Sequence, residues 1–279
     1  RGVVFGLLLY GLGSLLFIPG EYWMSFNFFL FSLFVIACGL VFLETAANPY
    51  MTELGDRETA ASRLNLAQSF NGLGCICGPL VGLLLFSEDG SPAVALPYTL
   101  MGIVVLSVAM VFSKIRLPEI VHEEENKEQE KVGGLWSHKL FILGVAALFC
   151  YEIAEISINS FFINYVTEQD PSIDPEKASR FLAFGGMTLF MVGRLSGSML
   201  MKWTTPNKLL VLFSLISSIC MLLVILALGR ISLYALYTTF FFMSIMFPTI
   251  FALGLSNMGT LTKKASSYIV MGVAGGAFS

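Results

Sequence analysis

The sequence predicts an all-α protein that crosses a membrane many times, and three observations predict it. The chain of 279 residues is 56% hydrophobic and only 13% charged, whereas soluble domains carry about 25% charged residues. Its mean hydropathy is +0.79, and its apolar residues gather in runs that reach the roughly 20 residues a helix needs to span a bilayer. Segments of about 10 residues alternating apolar and polar, which mark a membrane β-barrel, do not occur. The net charge of −3 carries little information, because in such a chain the side on which charges lie matters more than their sum.

Taken in order, the runs give eight full spans at 2–18, 22–54, 64–86, 94–115, 140–166, 181–201, 209–228 and 232–258, and part of a ninth from 267. The second exceeds what a bilayer requires, so it should tilt or project into the cytoplasm. Orientation follows from the loops. Of the 16 Lys and Arg, only Lys177, Arg180 and Arg230 fall on one side of the alternating spans, Arg194 lies inside a span, and the remaining twelve share the other side. That asymmetry makes the twelve-charge side cytoplasmic. No charged leader or cleavage site precedes the first run, so no signal peptide is expected. A chain opening on Arg1 reads as one shortened at its N-terminus.

The charged segment 116–139, RLPEIVHEEENKEQEKVGGLWSHK, separates a first bundle of four helices (1–115) from a second of four helices and part of a fifth (140–279). It reads as a solvated cytoplasmic linker, with Trp136 as an interfacial anchor. With a shift of 204 residues, 43–65 aligns without gaps on 247–269, and Thr45, Gly55, Ala61 and Ser62 coincide with Thr249, Gly259, Ala265 and Ser266. Such self-similarity fits a carrier built from two parallel repeats. It also places Glu44 and Pro248 at equivalent depths.

Polar residues inside the spans carry the chemistry. Glu44 lies ten residues before the end of its span, about 15 Å along the axis, and is too deep to snorkel. An ionised acid there costs several kcal/mol unless it faces a cavity or is neutralised, so it is suited to holding and releasing a proton. The competing reading is a protonated glutamate bonded to a neighbouring helix. Asn48, at i+4, shares its face. In the next span, RLNLAQSFNGLGC puts Asn65, Gln68, Asn71, Gly72 and Cys75 on one face. Amides donate and accept, which suits the vicinal hydroxyls of a sugar; a stripe of amides can equally be interhelical glue.

In FCYEIAEISINSFFINY, Glu152, Glu155 and Asn159 again share a face, lining either a watery path or a set of structural pairs. Phe161, Phe162 and Tyr165 are candidate stacking surfaces for a pyranose, or packing. GRLSG, 193–197, reads as a gating or structural element whose small residues allow close helix contact, with Arg194 paired to a loop acid or a helix C-terminus. Pro248, in SIMFPTIF, breaks its span and frees backbone groups that protein or a cavity must satisfy again. Asn257 reads as a cap. The five Cys lie in apolar runs, and the C-x-C of Cys75 and Cys77 has no companion ligands, so no metal site is expected. Both His, His122 and His138, lie in the linker, which leaves an intramembrane enzyme without a nucleophile and base.

LETAANPY, RLNLAQSFNGLG, SIMFPTIF and SSYIVMGVAGGA together resemble the fucose–proton symporter family of the major facilitator superfamily, which also contains glucose/galactose transporters. The likeness runs along essentially the whole chain. It implies a twelve-helix fold of two six-helix bundles, of which these spans correspond to helices three to ten and part of eleven; helices one, two and twelve, with the partner carboxylate on helix one, are then missing. It implies Glu44 as the proton-coupling or sugar-binding carboxylate and Gln68 and Asn71 as sugar ligands; from their places on the polar faces of the spans, Asn48, Glu155 and Asn159 are expected to join the substrate site. The form of SIMFPTIF and of the Y-x-x-A-E-x-S around Glu155 is closer to the glucose/galactose branch, whereas Glu152 fits neither. The expectation is therefore a monomeric bacterial inner-membrane symporter importing a monosaccharide, with no cofactor, no nucleic-acid partner, membrane lipid around it, and proton or sodium as the coupling ion. A sugar sensor that does not transport is the alternative.

Overall fold

The apolar runs are helices in the computed structural model, which describes residues 2–85, 95–115 and 134–279. The helices are α1 (Gly2–Leu15), α2 (Phe17–Trp23), α3 (Phe26–Glu53), α4 (Ala60–Leu85), α5 (Ala95–Lys114), α6 (Lys139–Gln169), α7 (Pro175–Arg180), α8 (Met187–Leu200), α9 (Pro206–Ile225), α10 (Arg230–Met243), α11 (Met246–Gly254) and α12 (Thr262–Met271). A π-helical turn, Phe181–Gly186, joins α7 to α8, and a 3₁₀ stretch, Gly272–Phe278, follows α12. No strand occurs among the described residues. Six helical stretches among them are long and apolar enough to cross a bilayer unaided: Gly2–Trp23, Phe26–Glu53, Ala95–Lys114, Lys139–Gln169, Pro206–Ile225 and Arg230–Gly254.

The first boundary differs from expectation. Pro19 and Gly20 read as a loop, yet both lie in α2, which carries the first span on to Trp23. Proline costs little in a first helical turn, where its missing N–H has no partner to lose. The break comes instead at Met24, whose left-handed φ of 47° turns the chain into α3. Most of the expected linker, 116–133, lies outside the described residues; Leu135–Ser137 forms a 3₁₀ turn leading into α6.

The described residues pack as two compact units, one of 1–50 and 78–121 and one of 51–77 and 122–279. In the first, glycines let helices approach: a Cβ on Gly11 would strike Leu106 of α5, and one on Gly39 of α3 would strike the backbone of Tyr10 on α1. Phe17 stacks on Tyr98 with centroids 3.7 Å apart. The Glu21 carboxylate accepts from Ala95 N at 2.7 Å, meeting one of the donors that a helix start leaves unpaired.

The second unit is built around α6, α10 and α11. The Arg230–Gly254 stretch is 72% buried over its apolar window, against 11% for Phe26–Glu53, so α10 and α11 form an interior pair. Phe162, Phe240, Phe251, Leu148 and Ile269 are fully enclosed in this core. α6 crosses α11 at Gly144 and Gly254, where a Cβ on the first would lie 3.0 Å from the second's Cα. Tyr165 Oη donates to the Val224 carbonyl at 2.7 Å, tying α6 to α9.

The internal repeat has a geometric counterpart. Gly55 after α3 and Gly259 after α11 both hold positive φ, 99° and 52°. Gly55 precedes the 3₁₀ turn Arg57–Thr59 and Gly259 opens the 3₁₀ turn Gly259–Leu261, and each turn leads directly into a helix. The equivalent Ala61 and Ala265 are both buried. In the first copy, Arg63 of α4 donates to the Thr52 carbonyl at 3.0 Å and the Asp56 carbonyl at 2.7 Å, satisfying the end of α3. Asn257 takes a left-handed φ of 63° just beyond α11, a residue type that tolerates this region.

Candidate functional site

The site begins at a break in a helix. Proline 248 has no N–H to return to the carbonyl four residues back, which is that of Ser244. The helix stops at Met243 and restarts at Met246, and regular bonding resumes with Thr249 N donating to Ile245 O at 3.1 Å. A buried carbonyl left without a donor costs about 1–3 kcal/mol. Here side chains supply the donors. Arg194 Nε donates to the Ser244 carbonyl at 2.9 Å, and Tyr151 Oη donates to the neighbouring Met243 carbonyl at 3.1 Å.

The GRLSG motif explains how the arginine gets there. Gly193 and Gly197 lie one turn apart on α8, facing residues 241–245: a Cβ on Gly193 would run into Ser244 Oγ and the Phe241 carbonyl, and one on Gly197 into Ile245. Two missing side chains let α8 lie directly on the broken segment. Arg194, only 5% exposed, then reaches the helix end, and its guanidinium carbon lies 4.4 Å from the Phe190 ring centroid. Of the two partners expected for it, the helix C-terminus is present, in the bond to the Ser244 carbonyl just beyond α10.

The other arm of Arg194 holds α4. Nη1 donates to the Gln68 backbone carbonyl at 2.8 Å and faces Gln68 Oε1 at 3.4 Å. One turn earlier, Asn65 is fully buried, and its Nδ2 donates to Thr249 Oγ1 at 3.0 Å and to Ala61 O at 2.9 Å. One turn earlier again, Ser62 and Ser198 exchange hydroxyl-to-carbonyl bonds of 2.8 and 2.9 Å. Residues 62, 65 and 68 thus form one polar face of α4, and Gly72 continues it, since a Cβ there would lie 2.9 Å from Met191 Cβ. Asn71 is exposed and accepts from Cys75 Sγ at 3.5 Å.

The whole chain, residues 1–279, matches the Major Facilitator Superfamily. It is 36% identical to the L-fucose-proton symporter of Escherichia coli, over 99% of this chain and 69% of that protein. It is 34% identical to a glucose/galactose transporter of Brucella abortus over 99% of the chain and 69% of the relative. A putative glucose/galactose transporter of Helicobacter pylori is 38% identical, over 99% and 70%. The crystal structure of the transporter FucP in the outward conformation superposes with a TM-score of 0.87 at 34% identity, covering 99% of this chain and 73% of that one. The chain belongs to the fucose–proton symporter family of the major facilitator superfamily.

Against this family, the remaining residues singled out in the sequence can be placed. Glu44 is half-buried on α3, one turn before Asn48, which is buried at 6% exposure. Thr45 between them turns its hydroxyl back onto the Val41 carbonyl at 2.7 Å. On α6, Glu152 is buried and Glu155 half-buried, and Asn159 Oδ1 is a buried acceptor with no hydrogen-bond partner among the described residues. Phe162 is core, in edge contact with Tyr237 and Phe240, whereas Phe161 is exposed. A surface hollow lined by Thr52, Glu53, Arg57, Asn257 and Gly259 contains none of the residues expected at a substrate site. Missed from sequence were Tyr151, Ser62, Ser198 and the Ser244 carbonyl. Only the last had a signal, since proline at 248 names position 244 as the orphaned acceptor.

Proposed function

We propose that the intact protein is a secondary active transporter of the bacterial inner membrane, importing a monosaccharide (L-fucose, or glucose and galactose) in symport with protons by alternating access. The observation that carries this reading is the likeness over 99% of the chain to proteins named L-fucose-proton symporter and glucose/galactose transporter. In this reading Glu44, with Asn48 one turn on, is the proton-coupling group. Gln68 and Asn71 on α4 and Glu155 and Asn159 on α6 meet sugar hydroxyls. Arg194 and Pro248 organise the helix break behind Gln68. The unpartnered Asn159 acceptor supports a ligand contact, because buried polar atoms are rarely left unmet unless a ligand or water fills the place.

The functional unit is a monomer in lipid, with bundles at 1–115 and 140–279 joined by a cytoplasmic segment at 116–139. No cofactor takes part; the proton is the driving ion, with sodium the other candidate. The test is uptake of labelled L-fucose, D-glucose and D-galactose by the intact protein in membrane vesicles under an imposed proton or sodium gradient. Accumulation of at least one sugar under the proton gradient, abolished by a protonophore, is the expected result. Accumulation that follows only the sodium gradient contradicts proton coupling, and accumulation of none of the three contradicts the substrate class.

A further inference from the structure

Two kinds of packing meet in the second unit. Around Phe162, Phe240 and Phe251 the contact is aromatic. Residues 60–77 of α4, which belong to the same unit, are joined to α8 and α11 through neutral hydroxyls and an amide. Ser62 and Ser198 exchange bonds of 2.8 and 2.9 Å, and Asn65 Nδ2 donates to Thr249 Oγ1 at 3.0 Å. Such bonds are traded for bonds to water at little net cost, so this seam can part and re-form without exposing aromatic rings.

Asn65 is its odd member. It is fully buried, and its Nδ2 also donates to the Ala61 carbonyl at 2.9 Å. A carbonyl only accepts, which settles the orientation of the amide. The oxygen at the other end, Oδ1, is buried with no hydrogen-bond partner among the described residues. An unmet buried acceptor costs more than one bond between membrane helices returns. The internal repeat supplies a comparison. The position equivalent to Asn65 is Ile269, also fully enclosed, where a Cβ on Gly254 would lie 2.9 Å from its Cδ1. Burial at this place therefore does not require an amide.

We propose that the seam of α4 with α8 and α11 is a releasable closure at the cytoplasmic end and that Asn65 limits its strength. The Ser62–Ser198 and Asn65–Thr249 bonds hold it shut. The Asn65 oxygen, hydrated only when α4 draws away from α11, keeps it weak enough to open in each cycle. The proposal rests on reading the protein as an alternating-access transporter, and it goes beyond that reading by naming what balances the two states. The likeness to FucP in the outward conformation supports taking this arrangement as the closed one. The charges beside the seam support the side, Arg57 and Arg63 at the start of α4 and Lys202 and Lys208 beyond α8. A sign follows that simple glue would not give: removing the amide tightens the closure, whereas removing its partner loosens it.

The test reads opening at Ser69, one turn beyond Asn65, which is 5% exposed and turns its hydroxyl back onto the Leu66 carbonyl of its own helix. Ser69→Cys is made in the intact protein freed of other cysteines. Its rate of modification by a membrane-impermeant maleimide is measured in inside-out vesicles without sugar. Thr249→Val and Ser62→Ala are each expected to raise the rate severalfold, and Asn65→Leu, close in size but apolar, to lower it severalfold. A rate raised or unchanged in Asn65→Leu overturns the proposal, because the amide is then a net clasp or has no part in the balance. Rates unchanged in both Thr249→Val and Ser62→Ala overturn it as well. Should Asn65→Leu fail to reach the membrane, Asn65→Ile, the residue of the second copy, decides by the same sign. Uptake of labelled L-fucose, D-glucose and D-galactose by the unmodified protein keeps the two readings apart. Uptake with the wrong sign in Asn65→Leu sinks the closure and leaves the transporter standing; no uptake of any of the three, with no modification of Ser69→Cys in any variant, sinks both.

Discussion

At the scale of single residues, the polar groups inside the second unit are organised by what the backbone lacks. Pro248 removes one N–H, Arg194 replaces it, and the two glycines beside Arg194 make the approach possible. Replacing Gly193 by valine would drive a branched side chain into Ser244 Oγ and the Phe241 carbonyl. It should destabilise the protein by about 1–3 kcal/mol, the usual cost of overpacking, read as a lower midpoint of thermal unfolding in detergent. An unchanged midpoint would mean that α8 does not lie on the break as described.

The Asn65–Thr249 pair allows a sharper estimate. Hydrogen bonds between membrane helices average about 0.6 kcal/mol in double-mutant cycles, whereas leaving a buried group unmet costs about 1–3 kcal/mol. Thr249→Val should therefore cost more than the bond itself, roughly 1–2 kcal/mol. The coupling to Asn65→Ala in a cycle should be nearer the smaller figure. A coupling of zero by unfolding midpoints would count against the contact. The identity of Asn65 as glue was not legible in the sequence: on the amide face it looks like its neighbours, and only the position of Thr249, 184 residues away, separates the roles.

At the scale of elements, hydropathy located the spans because a membrane forces each apolar run into a helix that satisfies its own backbone. Their ends were less legible. The Pro19–Gly20 pair looks like punctuation, yet a proline in a first turn breaks nothing, and the turn falls at Met24 instead. Pro248 is likewise the third residue of its helix, α11, and the interruption falls just before it, between Met243 and Met246. In both places the proline sits in the first turn of the helix that follows, so it marks a helix start and not a loop.

The short α7 illustrates a terminus that the sequence does announce. Asp174 stands before Pro175, and its carboxylate accepts from Lys177 N at 2.8 Å. That backbone bond holds the exposed Asp174 carboxyl below its ordinary value of 3.8. A depressed carboxyl stabilises the folded form above that ordinary value, and the contribution fades as pH falls through the lower folded value. Amide exchange in α7 should therefore quicken below about pH 4 relative to the long helices, and Asp174→Asn should remove the pH dependence while retaining a cap. Exchange with the same acid dependence in Asp174→Asn would show that another group is responsible.

At the scale of the whole molecule, the family was legible because LETAANPY and RLNLAQSFN carry chemistry that an apolar run does not otherwise tolerate: an acid, amides and a proline at helical spacing. What the sequence could not supply were the partners of those groups, since Arg194 reaches Gln68 across 126 residues of chain. The central claim is that the protein couples sugar accumulation to protons through Glu44. The most direct measurement is concentrative sugar uptake by the intact protein in vesicles with an imposed pH gradient, compared between wild type and Glu44→Gln at equal membrane levels. The account predicts that Glu44→Gln loses gradient-driven accumulation while sugar exchange across the membrane persists; accumulation at the wild-type level in that variant would contradict it.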